Sequence, residues 1–136
     1  MIMNRDSIEQ LQIFLDIASE AAMAAGTVLQ NNWGKLENIE EKGHSDNLVT
    51  EADKQAEAEI LKVLNRHLPE HAILAEESGR LGNLDSPYRW AIDPLDGTTN
   101  YAHSYPMSSV SIGLLIYNLP TVGVVYNPFR NELFRA

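Results

Sequence analysis

The stretch WAIDPLDGTTNYAHSYP, residues 90–106, joins a short apolar run to a turn that places Asp93 and Asp96 three apart with Pro94 between them. Proline breaks a helix at this point, and the glycine that follows adds a second turn signal. YRWAID (88–93) therefore reads as a short buried strand that ends in a carboxylate. Upstream, AILAEE (72–77) has the same form, an apolar strand running into Glu76 and Glu77. Downstream, SSVSIGLLIY (108–117) and TVGVVYN (121–127) are longer β-type runs joined by NLP, which predicts a hairpin, and NELFRA (131–136) opens a further strand.

Before residue 72 the period is helical. Ile8, Leu11, Leu15, Ala18, Ala22, Ala25 and Leu29 recur at steps of three and four and form one apolar stripe. Asp6 or Ser7 can cap its start, Asn31, Asn32 and Gly34 can stop it, and the small residues of AAMAAG (21–26) predict close packing against a neighbour. A second helix is predicted from Thr50. Thr50 and Asp53 have the spacing of a capping box, Ala56, Ile60, Val63 and Leu64 form the buried face, and Pro69 ends it. Between the helices lies the polar segment GKLENIEEKGHSDN (34–47), with a short strand near 36–40. Two helices followed by a run of strands predict an α+β domain over residues 1–136, with two long helices packed on one face of a largely antiparallel sheet. The last strand looks cut at Ala136, so the chain is expected to be the first part of a longer protein.

The 19 acidic residues outnumber the 10 Lys and Arg and give a net charge of −9. That balance argues against binding to a nucleic-acid backbone, which needs a basic surface. With no cysteine, disulfides, thiolate zinc sites and cysteine nucleophiles are excluded, and a reducing, cytoplasmic setting fits. No apolar run looks long enough to span a bilayer, and MIMNRDSIEQ lacks the pattern of a signal peptide.

The chemistry gathers where strands end in acids. Hard divalent cations take oxygen ligands, and Glu76, Asp93, Asp96 and the Leu95 carbonyl could supply them along one sheet edge. Glu77 fits a salt bridge or a supporting role. Gly97 permits close backbone approach, the amides of Gly97, Thr98 and Thr99 could receive a phosphate oxygen, and the Thr98 hydroxyl could orient a water. Such a set points to metal-assisted phosphoryl hydrolysis. The segment DPLDG (93–97) is also an ordinary turn, and local pattern alone leaves both readings open. His44, His67, His71 and His103 show no zinc spacing. Lys35 and Lys42 read as solvated, Trp90 as core, and Tyr101 and Tyr105 as packing for the loop.

Three segments resemble one family. WAIDPLDGTTNYAHSYP is similar to the signature of the inositol monophosphatases, ILAEES (73–78) to their Glu-Glu-Ser segment, and NLVTEADKQAE (47–57) to their Asp-Leu-Val-Thr-x-x-Asp segment, all in family order. The resemblance covers the first half of a typical member and implies the N-terminal half of a layered αβαβα sugar-phosphatase fold. It implies a cytoplasmic, lithium-sensitive hydrolase with two or three Mg²⁺ per site, a homodimer when full length, acting on a small phosphorylated polyol. The substrate it implies first is myo-inositol 1-phosphate. Histidinol phosphate, fructose 1,6-bisphosphate and a catalytically deficient fragment are the alternatives. It gives Glu76 the catalytic metal and the approach to the attacking water. Asp93 would bridge two metals, Leu95 and Asp96 would complete their shells, and Gly97 and Thr98 would receive the phosphate, with Thr98 also helping to activate the water.

Two departures stand out. The family has an aspartate before Leu-Val-Thr that supports the threonine, whereas here that register holds Asn47, with Asp46 one residue earlier. An amide is a far weaker proton acceptor than a carboxylate, so the support falls to Asp46 or is weakened at Asn47. The family's remaining metal aspartate belongs to a Trp-Asp-x-Ala-Ala-Gly-like segment of the second half, and residues 1–136 contain none.

Overall fold

The computed structural model describes residues 7–34, 39–41 and 48–136. Helix α1 spans Ile8–Asn31, and its start is set by Ser7, whose side chain accepts a hydrogen bond from the Gln10 amide at 3.0 Å. The predicted stripe is half right. Ala18, Ala22, Ala25 and Leu29 are fully buried, but Ile8 is 86% exposed and Leu11 and Leu15 are only half-buried, while Phe14, Ile17 and Ala21 join the core instead. The helix is gripped by two neighbours, and its run of alanines lets both approach. Gly26 sits so near the Tyr126 ring that a Cβ there would overlap it. By length and composition α1 passes as membrane-spanning, against the sequence expectation. In the fold it is a core helix, with nine residues buried against its neighbours.

Strands β1 (Ile39–Glu41) and β2 (Leu48–Thr50) form a small antiparallel pair. Helix α2, Glu51–His67, follows at once, and Ala56, Ile60, Val63 and Leu64 are buried as the period predicts. Arg66 and His67 of its last turn meet Glu20 of α1. Pro69 does stop it, at His67.

The main sheet has six strands in the order β4-β3-β5-β6-β7-β8: β3 Ala72–Ala75, β4 Gly79–Gly82, β5 Tyr88–Asp96, β6 Ser109–Ile116, β7 Leu119–Asn127 and β8 Glu132–Arg135. All neighbours are antiparallel except β3 and β5, which run parallel. β4 was not predicted. The hairpin was, but its turn is Tyr117-Asn118, both at positive φ, and Leu119-Pro120 already belongs to β7. Side chains alternate across the sheet. Ile73, Trp90, Ile92, Val110, Ile112 and Val124 face the helices and are buried, whereas Leu74, Glu76, Ala91 and Asp93 face away from them.

The aromatic residues stitch the layers. Trp90 donates its indole N–H to His71 Nδ1 at 3.0 Å, and His71 stacks on Tyr88. Tyr101 donates its hydroxyl to the Leu29 carbonyl at 2.6 Å, which ties the turn after β5 to the end of α1. Burial first, and then the charge of Asp53, push the Tyr101 phenol up to about 12, so it stays a donor.

Candidate metal and phosphate site

The parallel pair decides where the acids meet. Ala75 lies opposite Ile92, and the strand β3 ladder ends there, so Glu76 emerges beside Asp93 on the neighbouring strand. Adjacent strands sit about 4.8 Å apart, close enough for two carboxyl groups to touch. They do: Asp93 shares a hydrogen bond with Glu76. Its carboxyl is raised from 3.8 to about 7, first by burial, then by the Glu76 hydrogen bond and charge. The Leu95 amide opposes the shift, and Asp96 adds to it. Two acids at the ends of parallel strands thus lie side by side, where burial and the neighbouring charge favour a proton on Asp93. A divalent cation can replace that proton.

β5 does not stop at Asp93, as the sequence suggested, but continues to Asp96. Its pairing with β6 slips between Asp93↔Ser111 and Asp96↔Ser109, one residue too many on the β5 side. Such a bulge re-aims side chains. Pro94 is tolerated because β3 has already ended, and no ladder on that side needs its N–H. Asp93 Oδ1 accepts from the Leu95 amide at 3.3 Å, which braces the bulge. Asp96 is exposed and opens onto a second cavity of about 350 Å³, shared with Gly97, Asn100 and Ser108. Glu76 and Asp93 line a larger hollow of about 720 Å³. Among the described residues no three acidic or histidine side chains close on one point. The preformed core of the site is therefore the Glu76–Asp93 pair, with Asp96 contributing its field.

Gly97 follows at φ 90 and caps the short helix α3, Thr98–Ala102. A Cβ at Gly97 would lie 2.8 Å from the Met107 carbonyl, so here close approach means the chain's own backbone. At the start of α3 the amides of Gly97 and Thr98 have no helical carbonyl to meet. The Thr98 hydroxyl lies 3.1 Å from Asp53 Oδ2 and 3.0 Å from the Leu95 carbonyl.

That contact adds to the reading of Asp53. Its spacing from Thr50 suggested a helix cap, and its side chain, 1% exposed, also takes the Thr98 hydroxyl on Oδ2, 45 residues away. Asp53 joins the candidate site, a place that sequence reasoning did not give it. The signal available is its position inside NLVTEADKQAE, at the second aspartate of the family segment. Asp46 and Asn47, assigned to this support, lie outside the described residues, as do Lys35, Lys42 and His44. Glu77 turns its amide to Glu57 at 2.8 Å.

The inositol monophosphatase family model matches residues 10–136. An inositol-1-monophosphatase of Synechocystis sp. is 65% identical over 130 residues, which is 96% of this chain and 45% of that protein. The solved inositol monophosphatase of Anabaena (Nostoc) sp. superposes with a TM-score of 0.78 at 59% identity, covering 92% of this chain and 44% of that one. A solved IMPase/NADP phosphatase complexed with Mg²⁺ and phosphate superposes with a TM-score of 0.80 at 25% identity, covering 93% of this chain and 48% of that one. The chain thus spans about half the length of the relatives it matches. A strand-end carboxylate pair, a glycine-capped turn after it and a match along nearly the whole length agree, and the chain belongs to the inositol monophosphatase family.

Proposed function

We propose that this chain supplies the metal-holding and phosphate-receiving half of a Mg²⁺-dependent phosphomonoesterase. The observation that carries the reading is the Glu76–Asp93 carboxyl pair beside the Gly97–Thr98 turn. The donor set suits hard cations, since it offers carboxylates and a carbonyl but neither thiolate nor imidazole. Glu76, Asp93, the Leu95 carbonyl and Asp96 would hold two or three Mg²⁺, and such ions stabilise the charge that develops on attacking and leaving oxygens.

The rest falls to the chain's own groups. Thr98 has one hydroxyl proton, and giving it to Asp53 Oδ2 leaves its lone pairs free to accept from a water. Asp53 then orients Thr98 as a carboxylate orients a catalytic hydroxyl or imidazole elsewhere. The amides of Gly97 and Thr98 are placed to receive phosphate oxygens. With the carboxylates of the set committed to the metals, direct attack by water is the path the family resemblance implies.

The substrate we favour is myo-inositol 1-phosphate, supported by the name of the 65% identical relative. A cytoplasmic homodimer inhibited by Li⁺ completes the proposal by resemblance. A phosphate-release panel on the natural reading frame that contains this chain tests it, with inositol 1-phosphate, histidinol phosphate and fructose 1,6-bisphosphate, with and without Mg²⁺ and Li⁺. Release that requires Mg²⁺, is greatest on inositol 1-phosphate and is lost in Asp93→Asn is expected. Turnover that ignores Mg²⁺, or survives Asp93→Asn, would refute the metal site. A preference for another ester would refute the substrate alone.

A further inference from the structure

Glu76 emerges past the end of a ladder. Ala75 is the last paired residue of β3 on both sides, opposite Ile92 of β5 and Gly79 of β4, so sheet hydrogen bonds do not fix the residue that follows. What fixes the turn is Glu57 of α2. Its Oε1 accepts the Glu77 amide at 2.8 Å, and its Oε2 accepts the Ser78 hydroxyl. Both carboxyl oxygens are thereby engaged by the two residues directly after Glu76.

Glu57 is 3% exposed, on a helix face whose other buried members, Asp53 apart, are apolar. A carboxylate in such a place is costly unless its oxygens are met by donors. The fold needs no acid there for helix packing, because Ala56 and Ile60 supply the apolar contact. The spacing carries the second observation. Asp53 and Glu57 are four apart and so lie on one face of α2. Asp53 holds Thr98, and Glu57 holds the turn that carries Glu76. One helix face thus grips the two chain segments that the site must keep in register.

We propose that Glu57 is a positioning residue for Glu76. By clamping the Glu77 amide and the Ser78 hydroxyl it sets the Glu76 carboxyl against Asp93. Together with Asp53 it makes α2 the common frame for the metal arm and the water-orienting arm. This rests on the metal-dependent reading above.

The test is Mg²⁺ binding by the product of the natural reading frame that contains this chain, followed by titration calorimetry well below the melting temperature, together with site-resolved amide hydrogen exchange. Glu57→Ala removes both acceptors and should weaken Mg²⁺ binding about tenfold, the usual cost of losing a group that orients a metal ligand. Amides 76–78 should exchange faster while those of β6 and β7 keep their protection, a local signature that general destabilisation would not give. Glu57→Gln should rescue affinity to within about threefold, because its carbonyl can accept from Glu77 and its amide can donate to Ser78. Should Glu57→Ala fail to fold, Ser78→Ala carries the test, and its Mg²⁺ affinity must fall. A wild-type protein that binds Mg²⁺ beside folded variants that bind it equally well overturns the positioning role alone. A wild-type protein that binds no Mg²⁺ overturns the metal reading and the positioning role with it.

Discussion

Among single residues, Asp93 concentrates the physics of the site. Its carboxyl is pushed up to about 7 by burial and by Glu76, so it holds its proton where an ordinary aspartate would not. A cation needs the carboxylate and must displace that proton. Mg²⁺ affinity is therefore expected to rise between about pH 5.5 and pH 8, with release approaching one proton per site near the lower end. Calorimetry in buffers of different ionisation enthalpy measures both, and an affinity independent of pH would contradict the assignment. Folding obeys the same linkage. The folded carboxyl sits above its ordinary 3.8, so its contribution to stability is complete below that value and is lost as pH rises through about 7. Asp93→Asn lacks this slope. Without Mg²⁺ its melting temperature should gain on the wild type as pH rises, and parallel curves would show that the pair is not strained.

At the scale of elements, the decisive feature is a strand that outruns its neighbour, β5 past β3, and then turns sharply at Gly97. That turn needs glycine twice, for φ 90 and for the Met107 carbonyl 2.8 Å from where a Cβ would be. Gly97→Ala should cost about 1–3 kcal/mol from the backbone conformation alone, and more from the overlap. Gly123→Ala, with nothing within 4 Å, should be nearly neutral. Urea unfolding of the two variants decides this, and equal stabilities would mean that the turn is not built as described. The helices were legible because a 3.6 period is written in the residues themselves. The exact face of α1 was not, since alanines at 18, 21, 22 and 25 suit either neighbour and only packing chooses. Strand β4, GRLG, was missed because two glycines in four residues hide any alternation. The acids at the ends of AILAEE and WAID were legible, but not that β3 and β5 run parallel, which is what brings Glu76 to Asp93. Asp53 shows the limit most sharply. Its local spacing satisfies a capping box, and its contact with Thr98 is a tertiary one that no local pattern records.

In the whole molecule the layers are unequal. α1 and α2 cover one face of the sheet, while the other carries Leu74, Val125 and Phe134 at 43%, 40% and 59% exposure around the hollow of about 720 Å³. A largely antiparallel sheet can leave one face to water, but that face is ordinarily polar, so an apolar face open to water is the molecule's least ordinary feature. It also bears on the site. Glu76 and Asp93 stand among these apolar side chains, which is why burial outranks the neighbouring charges as the cause of the Asp93 shift. The open face should bind an environment-sensitive dye such as ANS in native buffer. Val125→Thr combined with Phe134→Ser should cut that signal by about half or more, because such binding scales with contiguous apolar area. The dye needs apolar surface and Mg²⁺ needs the carboxyl pair, so the double variant should lose the first while keeping the second. Loss of both would mean that the hollow and the site are one mechanical unit, and dye binding unchanged from wild type would mean that this face is not what the dye sees.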